Sequence, residues 1–163
     1  MSSQLSLFAA DAQPPGLDDV EGLLAGPGQL VTGVEGTHLV VPLDDLRRAA
    51  ALQAALDALA LDAQLGDPIA TDHTGTSGDT DHPRGVTVRT TPTTLLTPLA
   101  ERWGAGPHKV TPAAFVLDGA RLRLWCVAAG RPVPNGYLLR VGADDEDVWA
   151  PVGSALSAAG LPA

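Results

Sequence analysis

Arg121, Arg123 and Trp125 alternate with Leu122, Leu124 and Cys126, a period of two that predicts a β-strand with both guanidiniums on one face. Arg140 falls on the next predicted strand. Three arginines sharing a twisted sheet face are a candidate contact for DNA phosphates or base edges. The competing reading is a solvated face whose arginines pair with acids near the start of the last helix. Charge patterning bears on both. Residues 84–140 hold eight basic and two acidic residues, a net of +6, while the rest of the chain carries −15. That asymmetry points to an anionic partner for the middle segment or to acids folded back onto it. The overall charge of −9 argues against nucleic acid as the partner of the whole surface.

Other chemistry-bearing residues are sparse. Asp72-His73, Asp79 and Asp81-His82 are metal-ligand types, but no known ligand spacing is present and they read as solvated loop residues. His38 alternates with apolar neighbours and reads as a strand-surface residue. Cys126 is the single cysteine, which excludes an internal disulfide framework, fits a reducing cytoplasm and suits a small buried hydrophobe. No Walker sequence, dinucleotide fingerprint, nucleophile elbow or zinc spacing is present, and no cofactor is expected. No run approaches the roughly 20 apolar residues of a membrane span, so no membrane partner is expected.

The elements that must position these residues emerge from periodicity and turn signals. Residues 1–16 read as a flexible arm and 17–163 as one domain. Residues 17–24 predict a short helix stopped by Gly26-Pro27-Gly28. "QLVTGVEGTHLVVPL" predicts a hairpin turning at Glu35-Gly36, and Asp44-Asp45 cap a helix marked by leucines 46, 52, 56 and 59. Residues 66–85, rich in Gly, Asp, Thr, Pro and His, predict a long mobile loop. A strand "GVTVRT" comes next, then a helix near "TLLTPLAERWG", a short helix at "PAAFVLDG" and a hairpin pairing "ARLRLWCVAAG" with "GYLLRVG". "ADDEDVWAPVGSALSAAG" predicts a final helix with acids at its positive end. The fold class is α+β, antiparallel hairpins with helices on one face. The order leaves open a pseudo-repeat of two α-β-β-α halves.

The arm holds the most specific pattern in the chain. "QLSLF", Gln4 to Phe8, resembles the bacterial sliding-clamp-binding motif in all five positions, and Gln13-Pro14-Pro15-Gly16 separates it from the domain. The resemblance implies recruitment to the DNA polymerase III beta sliding clamp. Leu7 and Phe8 would fill an apolar pocket, Leu5 would pack at its edge, Gln4 would fix register through its amide, and Ser6 would face solvent. A few anchors on an extended arm give modest, exchangeable affinity. The competing reading packs the same apolar residues on the chain's own domain.

The body carries a second resemblance. The segment from Ala113 to the C-terminus is similar to one repeat of the LAGLIDADG homing-endonuclease fold, and within it to the catalytically inactive form in WhiA-type regulators of actinobacteria. It is carried by Leu117-Asp118-Gly119 at an expected helix end, the hairpin after it, and Gly160-Leu161-Pro162 at the far end. Active members need one acid from each repeat at a shared divalent metal. Asp118 and Glu35 are the candidates here, against an ordinary turn role for Asp-Gly. Together these features give the expected function: a non-enzymatic accessory protein of DNA replication or repair docked on the clamp. Its domain would contact DNA, through Arg121, Arg123 and Arg140, or another protein. The alternative is a degenerate LAGLIDADG-type nuclease or a DNA-binding regulator that does not use the clamp.

Overall fold

A computed structural model describes residues 14–66, 85–106, 108–142 and 146–161. A 3-10 turn at Leu17–Val20 runs into helix α1, Glu21–Ala25. Strands β1 (Gln29–Gly33) and β2 (Gly36–Leu43) come next, then α2 (Leu46–Asp57), β3 (Ala63–Gly66) and β4 (Val86–Thr90). A 3-10 turn at Thr94–Leu96 leads into α3 (Thr97–Trp103). The remainder is α4 (Gly119–Ala129), β5 (Gly130–Val133), β6 (Gly136–Leu139) and α5 (Glu146–Ala158). The chain is α+β, with every strand pair antiparallel.

β1 to β4 form one sheet in the order β1-β2-β4-β3, and β5-β6 form a separate two-stranded sheet. The first hairpin pairs Gln29 with Val40 and closes at Gly33–Gly36. Gly36 is required there. Its φ is +125°, and a Cβ would press on the Thr93 backbone within 3.2 Å. Alternation then sorts the sheet into two faces. Leu39, Val41 and Leu43 of β2 and Val86 and Val88 of β4 are buried, whereas Pro42 and Arg89 are exposed and His38 and Val40 half-buried. The helices cover the buried face: α2 packs on β2, β3 and β4, and α1 and α3 pack on β1. Leu23, Leu24, Leu52, Leu56, Trp103, Trp125, Val148 and Val152 complete one continuous core. Trp103 meets Phe115 edge-on, with ring centroids 5.2 Å apart.

The structure corrects the sequence reading in four places. "ARLRLWCVAAG" is a helix, not a strand. Ala120, Leu124, Trp125, Ala128 and Ala129 are its buried positions, a spacing of four and five that only a helix brings to one side. Asp118 begins that helix instead of ending the one before it: its carboxylate accepts from the Arg121 amide at 2.9 Å as the N-cap. "PAAFVLDG" forms a turn and extended chain, because Asp118 must be non-helical to cap α4. Ala63–Gly66, of which only Gly66 belongs to the expected loop and the rest to no expected element, pairs with β4 as an edge strand. The body of that predicted loop, residues 67–84, lies outside the described residues, as do His73 and His82.

Candidate functional site

Gln4, Leu5, Ser6, Leu7 and Phe8 lie outside the described residues. The described chain opens with exposed Pro14 and Pro15, and Leu17 is the first residue to pack against the core.

The arginine trio is not assembled as one sheet face. Arg121 and Arg123 lie on α4, two residues apart and so on different sides of the helix, while Arg140 comes just after β6. Both helix arginines turn to acids of the N-terminal turn. Arg121 Nε donates to Glu21 Oε2 at 2.8 Å, its Nη1 binds Asp118 Oδ2, and Arg123 Nη2 reaches Asp19 Oδ2 at 3.4 Å. Arg102 of α3 adds contacts to Glu21 Oε1 at 3.0 Å and Asp18 Oδ1 at 3.4 Å. Trp103 Nε1 also donates to Glu21 Oε1, at 3.3 Å.

Glu21 is therefore the hub. Its side chain is 5% exposed, so its charge depends on these donors in place of water. Burial alone would lower the Arg121 guanidinium's pKa. The Glu21 hydrogen bond and the charges of Asp118, Glu21 and Asp18 outweigh that and raise it. The network ties α1, α3 and α4 together, and Arg121 is committed to it. Its geometry depends on a close crossing: a Cβ on Gly22 would overlap the Arg121 carbonyl, so α1 meets α4 backbone to backbone. The sequence signal, acids at 18, 19 and 21, reads as ordinary first-turn charge, and nothing in it names the distant arginines.

Lys109 is a further buried charge that the sequence did not signal. At 2% exposure, its ammonium donates to the carbonyls of Leu24, Gly26 and Gly28, each at 2.8 Å. Leu24 lies in the last turn of α1 and Gly26 and Gly28 in the bend after it, so the ammonium sits at the negative pole of that helix, where a cation is favoured.

Asp118 and Glu35 do not form a centre. Asp118 is spent on capping α4 and binding Arg121, and Glu35 sits at the exposed turn between β1 and β2. Among the described residues, no group of three or more His, Cys, Asp or Glu is placed to hold a metal ion. His38 lies on the open sheet face opposite Val31 of β1. Burial first, and then the charge of Arg89, lower its pKa.

The residues that do converge on open space are Arg140, Arg48 and Arg131. They line a cleft of about 440 Å³ between the first turn of α2 and the β5-β6 hairpin, with Asp44, Asp45 and Leu138. Arg140 Nη2 holds Asp44 Oδ2 at 3.0 Å across its mouth. No helix of the described residues is long and apolar enough to cross a membrane. Comparison with family models, with curated proteins and with solved structures returns no match to this chain.

Proposed function

We propose that this chain is an accessory factor of DNA replication or repair, recruited to the DNA polymerase III beta sliding clamp by Gln4–Phe8. The observation that carries the reading is the complete "QLSLF" pattern, separated by Gln13-Pro14-Pro15-Gly16 from the α+β body. Leu7 and Phe8 supply the apolar anchors, Leu5 the flanking contact and Gln4 the register. The α+β body is the cargo that the arm delivers, and tethering raises its effective concentration at DNA. The test is fluorescence anisotropy of a labelled peptide of residues 1–15 with purified clamp. Binding lost by about tenfold or more on Leu7→Ala with Phe8→Ala supports the reading, since tenfold corresponds to about 1.4 kcal/mol. No binding, or binding indifferent to both substitutions, overturns it.

A second reading draws on the body: a LAGLIDADG-like module that contacts DNA without cutting it. The supporting observation is that α1 and α4 each lead into an antiparallel hairpin and cross at Gly22. α1 ends at Ala25-Gly26 and α4 at Ala129-Gly130, so neither helix end bears an acid. A plasmid-nicking assay with magnesium or manganese should give no product. Cleavage abolished by Asp118→Asn would restore the nuclease reading.

A further inference from the structure

The cleft beside α2 adds to a fixed backbone two features that the ion network around Glu21 lacks: open volume and exposed guanidiniums that can change partners. We propose that Arg48, Arg131 and Arg140 form a binding site for a phosphoryl oxyanion, with Asp44 as the resident group that the ligand displaces.

Each charged group in the cleft has a defined state. Asp45 is spent as the N-cap of α2, accepting from the Arg47 and Arg48 amides at 2.6 and 3.4 Å. Asp44 is spent on Arg140 at 3.0 Å, but that pair is exposed, with side chains 58% and 62% accessible for Arg140 and Asp44, and exposed pairs contribute little. No carboxylate among the described residues pairs with Arg48 or Arg131. Among the described residues, three guanidiniums thus face two carboxylates, one of them bound to backbone and the other weakly held.

The scaffold is fixed where it matters. The Arg140 amide donates to Ala129 O at 3.2 Å, and Trp125 Nε1 donates to Arg140 O at 2.8 Å. Both partners belong to α4, so Arg140 projects from a clamped backbone. Arg131 is placed by its pairing with Leu138 in the hairpin. The hairpin follows α4 without a break, because Gly130 is both the C-cap of α4, its amide bonded to Cys126 O, and the first residue of β5. Arg48 comes from the first turn of α2, at the positive pole of that helix, which favours negative charge. A planar guanidinium matches two phosphate oxygens at once, and several from separate elements fix the anion's position. The volume falls within the range of small-ligand pockets, roughly 300–1,000 Å³. It also admits a phosphate from a nucleic-acid backbone.

The proposed site stands apart from clamp recruitment, and its test leaves that reading untouched. The full chain is titrated calorimetrically with pyrophosphate and ADP. A fluorescein-labelled DNA duplex is followed in parallel by anisotropy at two salt concentrations. Binding of at least one probe is expected, weakened about tenfold by Arg131→Gln or Arg140→Gln, a loss of one charge-assisted contact. Asp44→Asn, which removes the competing carboxylate, should tighten binding several-fold. Tight pyrophosphate or ADP with no duplex binding assigns the site to a free phosphorylated molecule. Duplex binding whose salt dependence shrinks in the arginine variants assigns it to backbone phosphates. No binding of any probe at millimolar concentration, or binding unchanged by both arginine substitutions, overturns the site. Unchanged or weaker binding in Asp44→Asn overturns the exchange with Asp44. Asp44, Arg131 and Arg140 are all exposed, so unaltered urea midpoints in the variants separate lost binding from lost folding.

Discussion

Glu21 and Arg121, 100 residues apart in sequence, meet at 2.8 Å in a place where the carboxylate is 5% exposed. One contact therefore fixes the N-terminal turn to the helix that opens the last third of the chain. Replacing Glu21 with Gln leaves Arg121 and Arg102 without the charge they surround. Breaking one side of a buried pair costs about 3 kcal/mol or more. Urea denaturation of Glu21→Gln should show that loss, and a midpoint within error of the parent would mean the network contributes nothing.

Gly22→Ala is expected to be as harmful for a steric reason. The added methyl overlaps the Arg121 carbonyl, which is helix backbone and cannot rotate away. Overpacking of this kind costs about 3 kcal/mol. Thermal unfolding should fall by several degrees, whereas Gly153→Ala, where a Cβ meets open space, should not destabilise the fold.

Ala60→Gly is predicted to stabilise the protein. Ala60 has φ +59° in the turn where Leu61 N bonds back to Leu56 O at 3.1 Å after α2. The left-handed region penalises a Cβ by about 1–2 kcal/mol, partly offset by glycine's greater freedom when unfolded. A net gain of about 0.5 kcal/mol in urea is expected from that difference, and a loss would show that the turn tolerates alanine without strain.

His38 should make stability depend on pH. Burial and then the Arg89 charge hold its pKa below the ordinary 6.5, so near and below that value the unfolded chain binds more protons than the folded one. Stability is therefore full above pH 6.5 and falls on acidification toward the lowered folded value. The slope of urea midpoint against pH should flatten in His38→Gln, and an unchanged slope would remove His38 as its source.

Cys126 should alkylate slowly. Burial raises its thiol pKa, and Arg48 opposes that only in part. Iodoacetamide at neutral pH should react more slowly than with a free thiol, and Arg48→Gln should slow it further. Faster reaction in that variant would contradict the assigned effect of the arginine charge.

The first hairpin and its helix were legible because each signal was local. Glu35-Gly36 supplies the turn, residues 37–43 alternate, and Asp45 caps α2. β3 was not legible: its four residues are mostly exposed and border a Gly- and Pro-rich stretch, so only pairing with β4 makes them a strand. α4 was misread because Arg-Leu-Arg-Leu obeys a period of two over four residues. Over eleven, the buried alanines at 120, 128 and 129 keep to the helical period. The candidate cleft was out of reach for a different reason. Arg48 sits in the first half of the chain and Arg131 and Arg140 in the second, and only the packing of α4 against α2 brings them together.

Lys109 has a consequence for how the bend after α1 responds to its surroundings. Oxygen-lined bends of this kind elsewhere are filled by calcium or sodium ions, which come and go with the medium. Here the positive charge is covalently part of the chain, gripped by Leu24, Gly26 and Gly28. Chelators cannot strip it out, and the bend keeps its shape whatever ions the solution offers.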